Sequence, residues 1–386
     1  MAVFEEINKS GFSAYLHGYS AIDSWLNVKR PEGNSYILTN AGTADLAKIF
    51  EGLRYPGVNL ADAALDSKND SYSWYFRCAD SFNENRPSFS ILEFYRDCSS
   101  RVYYDPRGIY PELKEIRKTG KERLNLFSFF KEGINKNTGR IPALTDAALI
   151  LAKYLIKENS DDLKKELSKT AELLGGLREC AIPCQEEQRL LLCELITSRN
   201  PGPGMELLKM CGYIDKYWPE LAILEEADHS KEFHPEGNAW EHTLQTFRHR
   251  KCNEIPRAAN LTLSLGLLLH DLGKPISAST VNHRYEGHAE LGEIQARRFL
   301  ERLGFSSVLI KDICFLVRNH MLPAALPRIP LYRTSQIMTS PLFPLLLELY
   351  RCDESSSFKG LHGYYESSAV YQQFLRDKRN PYRRNK

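Results

Sequence analysis

One apolar segment, LGLLLHDLGKP at positions 265–275, limits the possible folds more than any other part of the chain. Residues 261–269 are almost entirely apolar, which predicts a helix that is buried on most of its sides. His270 and Asp271 are predicted to lie in its last turn, with Gly273 as the helix stop. A carboxylate there is opposed by desolvation and by the helix dipole. Asp271 therefore needs either solvent or a cation.

Further ligand-type side chains are predicted to face the same core. In VLIKDICFLVRNHM, His320 continues the apolar spacing of three earlier residues, and in LFPLLLELYRCD, Asp353 does the same. Asn238 and Glu241 have capping-box spacing for a helix that carries His242. Taken alone, His320 could be a satisfied core histidine and Asp353 a solvated helix end. Their presence in one domain with a His-Asp pair favours a metal site.

Imidazoles and carboxylates together form a mixed nitrogen and oxygen donor set. Such a set suits magnesium, manganese, nickel or cobalt, and it leaves positions for water and substrate. Lys274 and His288 near the pair indicate a phosphate, whose oxygens Lys274 could hold as a point charge. His288 or His320 could add hydrogen bonds or a proton. The alternative for Lys274 is that it only complements the helix dipole.

Length and composition indicate a soluble chain of several domains. At 386 residues, two or three domains are expected. The formal charge of +2 means that a polyanionic partner would need local basic patches. One such patch is the C-terminal RDKRNPYRRNK, although a disordered, solvated end is an equally good explanation of it.

Cysteine use and hydropathy indicate the compartment. The nine cysteines have no disulfide-like spacing, and Cys180 and Cys184 are expected to be ordinary thiols. The N-terminus carries acids where a secretory signal needs basic residues, and no run approaches the roughly 18 apolar residues of a membrane span. These features predict a cytoplasmic protein with no membrane partner.

Four sequence motifs resemble a known family: HPEGNAWEHTL, LLLHDLGKP, HRYEGHAELG and LVRNHM. They look like the HD domain of bacterial tRNA nucleotidyltransferases, the CCA-adding enzymes of the poly(A) polymerase family. The resemblance implies that His242, His270, Asp271 and Asp353 are the metal ligands of a phosphohydrolase. It also implies that tRNA, another RNA end or a small nucleotide is the partner.

The resemblance extends to the rest of the chain and implies an order of domains. Aromatic and β-branched runs such as SYSWYFRC alternate with helix-like pieces in the first third, while Leu, Lys and Glu dominate the middle. The expected fold is an α+β nucleotidyltransferase-like head followed by an all-α body and an all-α HD domain. The expected bounds are head 1–118, neck and body 119–225, HD domain 226–376 and basic tail 377–386.

The head differs from the family at the positions that nucleotidyl transfer needs. Transfer requires two magnesium ions held by carboxylates two residues apart on one strand face. SYILTNA resembles the end of the family's Asp-x-Asp strand, and counting back from Thr39 the two carboxylate positions here are Asn34 and Tyr36. Tyr19 stands at a glycine of the phosphate loop, and Ile22 stands at an arginine position. Two carboxylates remain nearby, Asp23 and Glu32, and a magnesium site rebuilt from them is the alternative.

Three functions therefore follow as hypotheses. The first is an HD-type metal-dependent phosphohydrolase, acting on phosphorylated or cyclic-phosphate RNA ends or on small nucleotides, whose transferase head has lost its catalysis. The second is a working tRNA nucleotidyltransferase. The third is a non-catalytic tRNA-binding protein that keeps the shape of the family and the basic tail.

Overall fold

The structure is a computed structural model, and it divides the chain into two compact units. One consists of residues 1–191 with 206–212, and the other of 192–205 with 213–386. The described residues are 2–27, 34–57, 61–67, 73–78, 94–105, 108, 140–154, 160–177, 180–227, 237–251, 257–277, 285–357 and 360–379. The expected boundary at 118, residue Glu32 and most of the basic tail lie outside them, so the four domain bounds stay a prediction.

The first unit contains a mixed six-stranded sheet in the order β3-β4-β2-β1-β5-β6. β2 and β4 are parallel, and the other pairs are antiparallel. The strands are β1 Ala14–His17, β2 Ser35–Thr39, β3 Ala63–Asp66, β4 Ser73–Cys78, β5 Tyr95–Asp97 and β6 Tyr103–Tyr104. The α+β head expected from the sequence is confirmed, including the strand in SYSWYFRC.

Helices cover the sheet and continue the first unit. Their bounds are α1 Ala2–Lys9, α2 Tyr19–Trp25, α3 Thr43–Ile49, α4 Arg140–Tyr154 and α5 Ser160–Leu174. α1 and α3 pack on one face of the sheet, where Ile7 and Leu46 meet Ile37 and Phe76. The other face is covered as well, because Tyr36 and Tyr75, the neighbours of Ile37 and Phe76 along their strands, lie in a second buried cluster.

His17, at the end of β1, gives the first unit a pH dependence. The side chain is buried and stacks on Tyr95 with ring centroids 5.0 Å apart. Burial, with a smaller effect of the Arg77 charge, lowers the pKa of His17 to about 3. The unfolded chain, with an ordinary histidine pKa, therefore binds a proton between about pH 6.5 and 3 that the folded chain does not. The contribution of the neutral His17 side chain to the free energy of unfolding is therefore complete above about pH 6.5 and is lost as the pH falls.

We therefore expect His17→Gln to remove part of the acid sensitivity of unfolding. From pH 6.5 to pH 5, the wild type should lose about 2 kcal/mol through this histidine, and the variant should not. Urea unfolding at pH 7 and pH 5 measures the difference. His362→Gln is the control because the His362 side chain is 85% exposed; equal pH slopes for wild type and His17→Gln would contradict the prediction.

In the second unit, every regular element among the described residues is helical. α6 Gln185–Ile196 and α7 Pro201–Met210 are shared between the two units. The remaining helices are α8 Tyr213–Tyr217, α9 Pro219–Ala222, α10 Ala239–Thr246, α11 Arg257–Leu269, α12 His288–Arg302, α13 Ser307–Asn319, α14 Leu322–Ala325, α15 Leu331–Met338, α16 Phe343–Ser355 and α17 His362–Arg379. Short 3₁₀ turns lie at Ile223–Glu226, Phe247–His249 and Lys274–Ile276. The all-α arrangement predicted for this part is confirmed.

α11 is the central helix of this unit, as its apolar sequence predicted. Leu263, Leu265 and Leu267 are fully buried. A Cβ added at Gly266 would lie 3.0 Å from methyl carbons of both Leu316 and Leu349, so α13 and α16 approach the helix closely. This packing fixes where the end of α11 points.

Arg250 ties the end of α6 to α11 inside the second unit. Its buried guanidinium donates to the backbone oxygens of Ile196 and Ser198, and to side-chain oxygens of Asn260 and Ser264. The last carbonyls of a helix have no partner within the helix, so this arginine satisfies them.

We expect Arg250→Met to destabilise the second unit by about 3 kcal/mol or more, because it leaves several buried oxygens without a donor. The measurement is the midpoint of thermal unfolding. Arg248→Met, at an exposed position two residues earlier, is the control and should change the midpoint little. Equal midpoints for the two variants would show that Arg250 is not needed for stability.

Candidate metal centre

The His-Asp pair lies directly after α11. The sequence predicted that His270 and Asp271 lie in the last turn of the helix. The helix instead ends at Leu269, and the two residues begin the turn that follows it. Both side chains are buried, with 1% and 2% exposure. Solvation is therefore not what makes the Asp271 charge tolerable.

Gly273 has a different role from the helix stop that the sequence predicted. Its φ of −85° is open to any residue. A Cβ at this position would instead lie 2.0 Å from the carbonyl oxygen of His288 and 2.5 Å from the amide nitrogen of Gly292. The glycine is required because the turn touches the backbone of α12. That contact sets His288 against Asp271.

The four predicted ligands come together in one cluster. His242 Nε2 lies 2.9 Å from Asp353 Oδ1, and His270 Nε2 lies 3.3 Å from Asp271 Oδ2. His270 Nε2 also lies 4.0 Å from Asp353 Oδ1. The side chains reach this point from α10, from the end of α11 and from α16. The Asp353 side chain is 24% exposed, so the cluster opens to solvent on that side.

The other three predicted site residues, Lys274, His288 and His320, lie next to Asp271. Lys274 Nζ lies 2.7 Å from Asp271 Oδ2. His288 Nε2 and His320 Nε2 lie 3.8 Å and 3.9 Å from Asp271 Oδ1. His320 directly follows α13 and is 1% exposed, so its predicted orientation toward the core is confirmed.

The ring orientation of each histidine is fixed from outside the cluster. The Nδ1 atoms of His270, His288 and His320 lie 2.8, 2.6 and 2.7 Å from backbone carbonyl oxygens of Leu267, Tyr285 and Val317. Because a carbonyl oxygen only accepts, each Nδ1 carries a hydrogen. In a neutral ring, Nε2 then presents a lone pair to the interior.

Ser356 holds His242 in the same way. Its hydroxyl donates to the backbone oxygen of Asp353 at 2.6 Å, and its oxygen accepts from His242 Nδ1 at 3.3 Å. Ser356 was not predicted from the sequence. Its position three residues after Asp353, within ESSS, was the available signal.

This donor set fits a divalent cation. Four imidazole Nε2 atoms and two carboxylates face one another, and among the described residues His270 Nε2 has no hydrogen-bond partner. Burial opposes the charge of Asp271, but His270 and Lys274 outweigh it and hold its pKa well below the usual range. Burial lowers the pKa of His320 to about 3 and also lowers that of His288. Ionised carboxylates and neutral imidazoles are the forms that bind metals.

The head positions expected to hold metal carry packed side chains. Asn34 Oδ1 accepts a hydrogen bond from the backbone amide of Ser73 at 3.0 Å. Tyr36 is buried and stacks on Tyr75 with ring centroids 5.7 Å apart. Within the part of the first unit that the structure describes, no cluster of three metal-ligand side chains was found.

The phosphate-loop position is filled in a similar way. The buried Tyr19 donates from its hydroxyl to Asp146 Oδ1 at 2.5 Å. Asp23, one of the two carboxylates considered for a rescued site, accepts from the hydroxyl of Tyr154 at 2.7 Å and is 5% exposed.

Comparison with known proteins identifies the domain that carries the cluster. The family model described as the HD domain matches residues 239–342. This part of the chain is an HD domain. The match includes six of the seven predicted site residues and ends before Asp353.

Relatives support the resemblance to CCA-adding enzymes. The chain is 33% identical over 162 residues to a CC-adding tRNA nucleotidyltransferase of Thermus thermophilus, covering 41% of this chain and 36% of the relative. It is 34% identical over 123 residues to a multifunctional CCA protein of Halorhodospira halophila, covering 32% and 28%. The chain thus spans about a third of the length of the curated relatives that it matches.

A solved structure has a similar fold. The Bacillus stearothermophilus CCA-adding enzyme in complex with CTP aligns over 97% of this chain and 81% of its own, with a TM-score of 0.50 and 15% identity. With these findings, the predicted resemblance of the chain to CCA-adding enzymes that carry a C-terminal HD domain is confirmed. No helix among the described residues is long and apolar enough to cross a membrane.

Proposed function

We propose that the HD domain is a metal-dependent phosphohydrolase on a scaffold like that of CCA-adding enzymes. The proposed substrates are phosphorylated or 2′,3′-cyclic-phosphate RNA ends, or small nucleotides. The observation that carries the proposal is the inward orientation of the histidine Nε2 atoms around two carboxylates. Among the described residues His270 Nε2 has no hydrogen-bond partner, although it lies 3.3 Å from Asp271 Oδ2. Such a site is costly to maintain unless a cation completes it.

In this proposal, His242, His270, Asp271 and Asp353 hold one divalent ion. Two nitrogens and two oxygens suit manganese, nickel or cobalt, and also magnesium. When bound, the ion supplies Lewis-acid activation of water and of a phosphoryl oxygen at neutral pH. The part of the cluster formed by Asp353 is open to solvent, which gives a substrate a path to it.

The remaining site residues act on the phosphate. Lys274 is paired with Asp271, and its side chain is 16% exposed, so its ammonium can hold a phosphate oxygen at the rim of the site. His288 and His320 carry Nδ1 hydrogens that point away from the cluster. Their Nε2 atoms can accept a hydrogen bond from a substrate hydroxyl or take up its proton.

Loss of nucleotidyl transfer is the second part of the proposal. Asn34 and Tyr36 offer no negative charge where two magnesium ions would have to be held, and both engage neighbouring groups of the sheet. Tyr19 occupies with its ring a position where the phosphate loop of the family needs a glycine. These contacts support a head that serves as scaffold.

Phosphatase and phosphodiesterase assays on the full-length chain test the hydrolase. After EDTA treatment, the protein is given Mn²⁺, Ni²⁺, Co²⁺ or Mg²⁺ and incubated with p-nitrophenyl phosphate, a nucleoside 2′,3′-cyclic phosphate and a tRNA ending in a cyclic phosphate. We expect turnover that depends on the added metal. No turnover with any metal and substrate would reject the hydrolase.

The competing functions are distinguished by two further measurements. The Thermus thermophilus relative is named a tRNA nucleotidyltransferase, so transfer is tested by incorporation of labelled CTP or ATP into tRNA that lacks its 3′ end. We expect none, and measurable incorporation would overturn the proposed loss of transfer. Salt-dependent tRNA binding without any turnover would favour the non-catalytic RNA-binding protein.

A further inference from the structure

We propose that Glu354, through its contact with the C-terminal helix α17, is a positioning residue for the proposed hydrolysis. Glu354 touches neither the ion nor the substrate. It fixes the last turn of α16, from which Asp353 reaches the site. The inference rests on the proposed function, because it assigns Glu354 a task only through Asp353.

Asp353 is the site residue whose position depends most on a helix end. α16 ends at Ser355, two residues after Asp353. The Asp353 side chain is 24% exposed, whereas the side chains of His270 and Asp271 are 1% and 2% exposed. The core therefore encloses the other ligands more completely than Asp353. Because helix ends fray readily, the last turn of α16 needs a contact from outside the helix.

Glu354 makes such a contact with α17. Its Oε2 atom accepts a hydrogen bond from the backbone amide of Tyr364 at 2.7 Å, and its Oε1 atom accepts from the Tyr350 hydroxyl at 2.9 Å. Tyr364 lies in the first turn of α17, where backbone amides have no partner within the helix. The helix dipole also favours a carboxylate at this end. Glu354 thus joins the end of α16 to the start of α17.

Gly363 leaves the space that this contact needs. A Cβ at Gly363 would lie 2.5 Å from the Tyr350 hydroxyl oxygen and closer still to Glu354 Oε1. Gly363 is inside α17, where glycine is less favourable than alanine. The close approach of Glu354 and Tyr350 explains why a glycine stands at this position.

α17 is also attached to the second unit by contacts that do not involve Glu354. The buried hydroxyl of Ser367 donates to the backbone oxygen of Pro323 at 2.6 Å. The ring of Tyr371 packs on Phe343 with centroids 4.6 Å apart. Ser367→Ala is therefore a matched control, because it weakens the docking of α17 and leaves the Glu354 contact in place.

Calorimetric Mn²⁺ titration of the EDTA-treated full-length chain tests the proposal. Glu354→Ala should bind Mn²⁺ about tenfold more weakly than the wild type, since loss of a group that orients a metal ligand commonly costs roughly 10–100-fold. Glu354→Gln should keep most of the affinity, because its amide oxygen still accepts from the Tyr364 amide. Ser367→Ala should bind as the wild type does.

Hydrogen exchange gives a second measurement that needs no metal. In the EDTA-treated protein, the Tyr364 amide should exchange faster in Glu354→Ala than in the wild type or in Glu354→Gln. Equal exchange rates in all three chains would show that Glu354 does not hold the start of α17, and would overturn the proposal.

The binding outcomes separate this proposal from the proposed function. Wild-type affinity in Glu354→Ala, or an equal loss in Ser367→Ala, would overturn the role of Glu354 and leave the metal site standing. Equal losses in Glu354→Gln and Glu354→Ala would also overturn it, because the charge of Glu354 and not its position would then be responsible. No Mn²⁺ binding by the wild type would overturn the proposed function and this role with it.

Gly363→Ala replaces Glu354→Ala if the latter loses its native circular dichroism. The added methyl group meets only the ends of two side chains and raises the helix propensity of α17, so this chain should fold. It should bind Mn²⁺ more weakly than Ser367→Ala. Equal affinities of these two variants would overturn the proposal.

Discussion

The His270→Ala chain should bind Mn²⁺ at least about 100-fold more weakly than the wild type and lose metal-dependent phosphate hydrolysis. Even the loss of a group that only orients a metal ligand commonly costs 10–100-fold in affinity or activity, so the loss of a ligand should cost no less. Calorimetric Mn²⁺ titration and release of p-nitrophenol measure the two effects.

Two further variants make this result specific. His362→Ala removes an imidazole whose side chain is 85% exposed, so it should keep both metal affinity and turnover. Asp271→Asn keeps the shape of the side chain and removes its charge, so it should resemble His270→Ala without leaving a cavity. If His270→Ala and Asp271→Asn bound Mn²⁺ as tightly as His362→Ala, the assigned ligands would be wrong.

Gly273→Ala should destabilise the second unit by about 3 kcal/mol or more, because the new methyl carbon would lie 2.0 Å from the His288 carbonyl oxygen. Neither partner is a flexible side chain, so the turn and α12 must separate. We therefore expect weaker Mn²⁺ binding in any folded fraction. Thermal unfolding and the Mn²⁺ titration measure the two consequences.

Gly202→Ala provides the matched control within the same unit. Gly202 lies in the first turn of α7, where the nearest atom to an added Cβ is Asn200 Oδ1 at 3.9 Å. This substitution should change stability by about 1 kcal/mol or less, in the stabilising direction. A Gly273→Ala chain as stable as Gly202→Ala would mean that the close backbone contact is not required.

Much of the site could be predicted because helical spacing decides which side chains face a core. The apolar run before His270 and the stripe before His320 each placed a polar side chain inside the domain, and both side chains are buried. Asn238 was predicted as a helix cap from its spacing to Glu241, and its side chain accepts from the Glu241 amide at 2.9 Å. These are local rules, and one sequence is enough to apply them.

The sequence did not predict the features that depend on distant segments. The reason for Gly273 is the backbone of α12, which begins 15 residues later at His288. The role of Ser356 depends on how α16 meets α10. That the two oxygens of Asp271 face different histidines follows from the packing of three helices, which no spacing along the chain encodes.

In the head, the sequence alone raised the question of whether the magnesium ions of nucleotidyl transfer can be bound. The resemblance to the family, with the two carboxylate positions counted back from Thr39, was enough to show Asn34 and Tyr36 in their place. The contacts of these side chains were not predictable from the sequence: Asn34 accepts a hydrogen bond from the Ser73 amide, and Tyr36 stacks on Tyr75. Cross-strand partners depend on strand order, here β4 beside β2, which had to come from the fold.

In our proposal, the buried histidines and aspartates of the HD domain form a metal centre. An anomalous difference map from crystals of the full-length protein grown with Mn²⁺ tests it most directly. We predict a peak within bonding distance of His242 Nε2, His270 Nε2, Asp271 and Asp353. A map without a peak at this cluster, while Mn²⁺ is bound elsewhere or not at all, would contradict the account.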